Sequence, residues 1–393
     1  MRPEVNECPA CGTELGEPTR VGWLPLPRGL LEPVAGPARR WDVRVAGCGG
    51  CGSVAIVGGP TPEEVVASVD RPTSRTAASV ARAAREATSV LANIPVARGD
   101  TVLGLGAGDG LVLRPFQQVG CEVVNVEPAA ARRAVGEAAG IAGISRPFGA
   151  GAAGQLDALS IRTSLVLGRT VLGHAVDPDA VFGELSQVLV RDGRAVFTLP
   201  DADAGLALSP IGLLNPEWRW LWTPHALSLM ALRHGMVVEH VDGTAAPGSW
   251  SCTVAWARQD GPFPLARPYT NVLASVAGLE HRVASWRRTI ERHVERTIES
   301  GRWIVAVGAG ATGVTALNLA ELDADRVEAI IDVNPLKQGL RAPGVDLPIT
   351  GVDMVHPGDP AELLALVPEL VPELRTQHAE LITGGMRLHT IAS

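Results

Sequence analysis

Two periods of apolar and polar residues run along this chain: short apolar runs that stop at glycines, and longer stretches with an apolar residue at every third or fourth position. Residues 73–94 are alanine-rich with apolar residues at helical spacing and predict a helix. A short apolar strand, 101–105, then runs into Gly106, Gly108 and Gly110, followed by the amphipathic LVLRPFQQVG and a second apolar strand, CEVVNVEP, ending in the acid Glu127. Further on, 178–190 reads as a helix, Arg191-Asp192-Gly193 as a turn and 194–199 as a strand. An amphipathic helix is predicted over 271–300, and the strand–glycine–helix–strand pattern then recurs at 303–313 and 327–332. Alternating strands and helices predict an α/β chain with parallel sheets. The Pro-rich stretch 261–268 reads as a linker, so the expected division is 1–70, 71–262 and 263–393.

Composition narrows the function classes. At 393 residues, with 46% hydrophobic and 19% charged, the chain is too long for one core and too aliphatic to be disordered. A formal charge of −8 argues against a nucleic-acid partner, which would require a cationic surface. No run of about 18 uncharged apolar residues occurs, and the N-terminus lacks the basic-then-apolar order of a secretory signal. The expectation is a cytoplasmic protein with a small-molecule substrate and no membrane partner; monomer and dimer both stay open.

Four of the six cysteines form two CxxC pairs, Cys8/Cys11 and Cys48/Cys51. Such turns let two thiolates converge on one ion, and two of them complete a tetrahedral Zn²⁺ site. With all four positions filled by sulfur the site is structural, and Gly12, Gly49, Gly50 and Gly52 are expected to supply its tight turns. The small lobe around it is expected to depend on metal. Cys121 and Cys252 stand alone in apolar surroundings.

The loop Gly106-Ala107-Gly108-Asp109-Gly110, with Glu127-Pro128 at the tip of the next strand, suits a nucleoside cofactor. Glycines allow close backbone approach, and the carboxylate accepts hydrogen bonds from ribose hydroxyls. The loop lacks the third glycine of GxGxxG at the expected step, which favours S-adenosylmethionine (SAM) over NAD. In the last third, Gly308, Gly310 and Gly313 form a phosphate-cradling turn at a helix start, with Asp332 nineteen residues beyond Gly313 and Lys337 available to add charge.

Zinc knuckles, this SAM loop and the segments 303–313, 327–339 and 342–344 together resemble the three-domain C-methyltransferases that act on nucleotide-linked deoxysugars in antibiotic pathways. The resemblance runs over nearly the whole chain. It implies a class I SAM-methyltransferase Rossmann-like domain flanked by an N-terminal zinc-binding lobe and a C-terminal Rossmann-like lobe that holds a nucleotide diphosphate. It also implies that His225 is the base removing a proton beside a sugar ketone. Members of that family carry Tyr-x-Glu-His where this chain has Trp222-Thr223-Pro224-His225. An earlier family tyrosine corresponds to 69–74, where none stands, and the family's His-Gly-Gly becomes Pro247-Gly248-Ser249. Nine tryptophans accompany a single tyrosine, Tyr269, outside these motifs.

Enolisation beside a ketone needs a base on carbon and a donor on the developing oxyanion. His225 supplies one of the two. His174, in the loop after the fourth strand, is the second candidate for a catalytic role. Trp218, Trp220 and Trp222 alternate at strand spacing and are expected to share one face, with Trp222 lining a substrate wall beside His225. Three readings follow: a SAM-dependent methyltransferase on a small biosynthetic intermediate, a SAM-fold enzyme with non-methylating chemistry, and a non-catalytic binding protein that has lost the family's acid-base set.

Overall fold

Between the cysteine pairs the chain forms antiparallel strands β1 (Thr19–Pro25) and β2 (Arg40–Gly47), and β3 (Val54–Val57) follows the second pair. Along β2, Trp41, Val43 and Val45 are buried while Arg40 and Arg44 are exposed, the alternation of a sheet with one wet face. The computed structural model describes residues 5–69, 76–208, 210–246, 249–257, 272–367 and 371–391. The predicted linker 261–268, Tyr269, the helix start at 271, Pro247-Gly248 and most of 69–74 lie outside these residues.

The middle of the chain builds a seven-stranded sheet. Its parallel half comprises β4 (Thr101–Leu105), β5 (Glu122–Val126), β6 (Ala142–Ile144), β7 (Thr163–Arg169) and β8 (Leu189–Pro200), in the order β6-β5-β4-β7-β8. Val102, Leu103 and Leu105 of β4 are fully buried, as expected of a strand covered on both faces. After β8 the chain departs to add the two-residue β9 (Trp220–Leu221) to the edge of β3, then returns as β10 (Met236–Ala246) and β11 (Ser249–Trp256), which extend the central sheet antiparallel from β8. The chain reverses direction across the sheet between β4 and β7, so a crevice opens at the carboxyl ends of these strands. Helix Ala77–Asn93 lies close to the predicted 73–94, and helix Pro178–Val188 is capped by Asp177, which accepts from two backbone N–H groups.

Residues 191–193 are not the expected turn. β8 begins at Leu189, and its pairing with β7 jumps from Thr163–Leu189 to Leu165–Arg194, so 190–193 form a bulge inside one long strand. Gly193 permits it: a Cβ there would lie 2.9 Å from the Val190 carbonyl oxygen and 3.0 Å from that of Ser164.

The predicted helix 271–300 is two helices, Val272–Ala277 and Leu279–Glu299, separated at Gly278. Leu279, Val283, Trp286, Ile290 and Val294 put one apolar stripe along the second. It leads into an all-parallel sheet of β12 (Trp303–Val307), β13 (Ala329–Ile331), β14 (Ile349–Thr350), β15 (Ala361–Ala365) and β16 (Arg387–Thr390), ordered β14-β13-β12-β15-β16. That stripe packs into one continuous core with Leu24, Trp41, Val43 and Val45 of β1 and β2, and with Ile304 and Ala306 of β12. The first and third sheets therefore share a core, while the inner cysteines, Trp220 and Trp222 join the core of the central sheet. No helix among the described residues is long and apolar enough to cross a membrane.

Candidate active site

Strand β4 delivers the first glycine loop to the crevice. Gly106, Gly108 and Gly110 all have positive φ (63°, 61° and 77°), a left-handed run that glycine adopts without Cβ strain. A Cβ on Gly110 would sit 2.4 Å from Ile141 Cδ1, so this glycine serves packing, whereas Gly106 faces open space. Glu127, 4% exposed, holds the loop from the tip of β5: Oε2 accepts from Gly108 N and Oε1 from Ala129 N, each at 2.9 Å. Asn125 Nδ2 donates to Gly108 O at 2.8 Å and Asp109 is fully buried. The open glycines and the fixed carboxylate, with lone pairs beyond those two contacts, fit the nucleoside end of SAM.

Arg132 closes the side of this loop; its guanidinium lies 3.8 Å from where a Gly108 Cβ would stand. Burial pushes its pKa down and Arg28 adds to the fall, while Glu127, Asp109 and Glu217 oppose it. Arg28, from the loop after β1, reaches across to form an ion pair with Glu217, whose carboxylate is fully buried.

His174 stands beside this pair. Its Nδ1 lies 3.0 Å from the Glu217 carbonyl oxygen, and since a carbonyl only accepts, Nδ1 carries the hydrogen of this contact. The ring stacks on Trp218 with centroids 4.5 Å apart. Close approach depends on Gly173, where a Cβ would lie 2.7 Å from the Trp218 ring. Thr170, which opens this loop, has φ of 59°, an uncommon conformation for a β-branched residue.

The tryptophans do not form the expected wall. Trp220 and Trp222 are 2% and 0% exposed inside the central core, and Trp222 Nε1 donates to Leu172 O at 3.0 Å. Trp218 instead packs at the edge of the core shared by the other two sheets, because only Trp220–Leu221 is extended. Trp222 thus braces the His174 loop from behind and presents no surface to a substrate.

His225 is half-buried at the start of helix Pro224–Arg233, which Thr223 caps by accepting from Ala226 N. Its helix is fastened to the cysteine cluster at both ends: Thr223 Oγ1 donates to Cys51 O at 2.9 Å, and Arg233 donates to Pro9 O. The sulfurs of Cys8, Cys11, Cys48 and Cys51 lie within 4.8 Å of one another, with Cys8–Cys51 and Cys11–Cys48 at 3.4 Å. None of the six cysteines is in a disulfide. Four sulfurs about 2.3 Å from a tetrahedral ion would stand about 3.8 Å apart, so this donor set fits such an ion. Of the turn glycines, Gly12 and Gly52 have positive φ, and Gly50 is required by contact, a Cβ there falling 2.4 Å from Thr13 Oγ1. Gly49 has neither constraint: its Cβ would make an ordinary contact with Leu273.

The second glycine loop follows β12. Gly308 and Gly310 face open space, while a Cβ on Gly313 would lie 2.3 Å from Gly308 O, so Gly313 is there for close packing. Asp332 binds the loop much as Glu127 binds the first, Oδ2 accepting from Ala309 N at 2.9 Å. Lys337 is tied down locally, donating to Asp332 Oδ2 at 2.7 Å and Ala309 O at 3.0 Å. This loop abuts the central sheet's connections: Gly212, in the turn Pro210–Leu213, sits against Thr312, 3.5 Å from its Cγ2 to a Cβ built on Gly212.

Comparison with known proteins bears on both glycine loops. Residues 77–241 match the profile of a methyltransferase domain, and residues 269–391 that of the C-methyltransferase C-terminal domain. The C-methyltransferase NovU of Streptomyces niveus is 24% identical, with 98% of this chain and 95% of that protein aligned. Together these matches make the chain a SAM-dependent C-methyltransferase. Solved structures similar to this C-methyltransferase include the magnesium protoporphyrin IX methyltransferase of Synechocystis PCC 6803 (14% identity, TM-score 0.35, 45% of this chain and 83% of that one). Another is the CcbJ methyltransferase of Streptomyces caelestis (18% identity, TM-score 0.36, 45% and 89%).

The C-methyltransferase is SAM-dependent, and the methyl donor supplies an electrophilic methyl group on sulfonium sulfur. Sequence reasoning missed Arg28, Arg132 and Glu217 near the first glycine loop, and Arg219, whose backbone borders the His174 loop. Glu217 and Arg28 are 189 residues apart, and neither belongs to a motif. A signal existed only for Glu217 and Arg219, charged residues inside the apolar segment 213–222.

Proposed function

We propose that this C-methyltransferase acts on a biosynthetic intermediate, a keto sugar carried on a nucleoside diphosphate, and methylates the carbon beside the ketone. The contact between Gly212 and Thr312 carries this reading, because it sets the mouth of the second glycine loop against connections of the methyl-donor sheet. One substrate then spans both: diphosphate at Gly308 and Gly310, sugar at the crevice beyond β4 and β7. Gly106, Gly108 and Glu127 hold the donor. His225 takes the proton from carbon and the electron pair passes to the carbonyl oxygen; the resulting carbon nucleophile would take the methyl group as the sulfonium–methyl bond breaks and S-adenosylhomocysteine leaves. In-line placement supplies most of the rate. His174 is the second reading for the base, favoured by the Glu217 carbonyl, which leaves Nε2 as the basic nitrogen. The four cysteines hold a structural Zn²⁺ that braces the helix of His225.

Incubation with SAM and nucleoside-diphosphate-linked keto-deoxysugars tests this. The expected product has gained one carbon-bound methyl, and free nucleoside diphosphate competes with its formation. His225→Ala lowers kcat by about 10²-fold or more. Normal SAM binding with no nucleotide competition would overturn the substrate assignment, and full turnover by His225→Ala with loss in His174→Ala would move the base to His174.

A further inference from the structure

Arg219, whose backbone borders the His174 loop, carries a buried charge whose chemistry the reading above leaves unused. It is 5% exposed, and its Nε and Nη1 have no hydrogen-bond partner among the described residues. Burial lowers its pKa, and no neighbouring carboxylate contributes to that shift. A buried guanidinium without a counter-charge is costly, and structures retain one where an anion completes it. Its backbone is anchored at the candidate site, Arg219 N donating to Gly173 O at 2.7 Å, one residue from His174. The residues before it supply the other contacts of His174: Trp218 stacks on the imidazole and the Glu217 carbonyl accepts from Nδ1. Nearby Arg28 is not free for the same task, being paired with Glu217.

We propose that Arg219 binds the oxygen of the acceptor on which negative charge develops when its carbon is deprotonated, supplying the donor that tyrosine and glutamate are taken to supply where the family keeps Tyr-x-Glu-His. The inference rests on the carbanion chemistry proposed above and not on the nucleotide. Two parallel N–H groups of a guanidinium match a planar oxyanion, and in a site closed to water they act on that charge more strongly than in bulk solvent. Arg219 is then the anion-binding half of the acceptor site, with a histidine as the proton-accepting half. The donor's own carboxylate offers the same chemistry from a second source, so the test separates the two.

Oxalate, a planar oxyanion, is titrated into protein saturated with S-adenosylhomocysteine and followed by calorimetry. The wild-type chain is expected to bind it, and Arg219→Met to weaken that binding about tenfold or more. S-adenosylhomocysteine and 5′-methylthioadenosine should bind the variant as they bind wild type. The melting temperature of ligand-free Arg219→Met should equal or exceed that of wild type, since methionine relieves an unpaired buried charge. Equal oxalate binding by both proteins, or none by wild type, would overturn the proposal. A tenfold loss of S-adenosylhomocysteine with 5′-methylthioadenosine unaffected would also overturn it and assign Arg219 to the donor's carboxylate. If the methionine variant fails to fold, Arg219→Gln decides by the same oxalate comparison. Failure here leaves nucleotide competition untouched, and failure of nucleotide competition leaves oxalate binding untouched.

Discussion

Glu127 fixes the turn by accepting from Gly108 N and Ala129 N, and in the proposed function its remaining lone pairs take the ribose of the donor. Glu127→Gln keeps the shape but turns one acceptor into a donor that faces a backbone N–H. Hydrogen bonds to charged groups are worth about 1.5–3 kcal/mol, so SAM affinity should fall about ten- to hundredfold, measured by calorimetry. An unchanged affinity would remove Glu127 from the donor site. That residue was legible in the sequence because a strand-end acid after a glycine loop is a pattern in the chain itself. Arg219 left only a faint signal, a charge inside the apolar segment 213–222, since what marks it is burial without a partner among the described residues, a property of the surroundings that one-dimensional spacing does not carry. The exposed wall failed for the same reason: alternation does set Trp222 beside Trp220, ring centroids 6.1 Å apart, but that face is buried in the core, and Trp218, outside the two extended residues, does not join it.

Helix Pro224–Arg233 shows how one element couples two sites. Cys51 O receives the hydroxyl of its cap and Pro9 O receives Arg233, so the cysteine turns hold both ends of the helix that carries His225. Replacing Cys48 by Ser, or chelating the metal, should lower the melting temperature by about 5 °C or more, because structural zinc contributes several kcal/mol to folding. The same treatment should reduce kcat more than it weakens SAM binding, since the donor loop hangs from β4 and Glu127 and not from the cysteine turns. Elemental analysis of the purified protein gives the metal directly, and a metal-free protein with wild-type melting would defeat the assignment. The CxxC pairs and both glycine loops were readable because each is a local motif with its own spacing. The bulge at 190–193 was not, because it depends on pairing with β7, and the break at Gly278 had only a lone glycine as its signal.

At the scale of the whole molecule, the division 1–70, 71–262 and 263–393 describes the order of the chain better than the order of its cores. β1 and β2 pack against helix Leu279–Glu299 and β12 through a single apolar cluster, so the first and third sheets are stabilised by the same buried surface. Independence of the N-terminal lobe is therefore not expected. Trp286, 6% exposed in that helix, lies in the shared cluster. Truncating a buried tryptophan costs about 3–5 kcal/mol. If the core is one cooperative unit, Trp286→Ala should speed amide hydrogen exchange in β2 as well as in β12, by about 10²-fold where exchange requires opening of the cluster. The parallel strands β4 and β5, which belong to other cores, should change much less. Acceleration confined to β12 and its neighbours would mean that the two sheets touch without sharing stability. Acceleration on both sides would mean that the C-terminal sheet holds the N-terminal loop of Arg28 in place, and with it the ion pair to Glu217 behind His174.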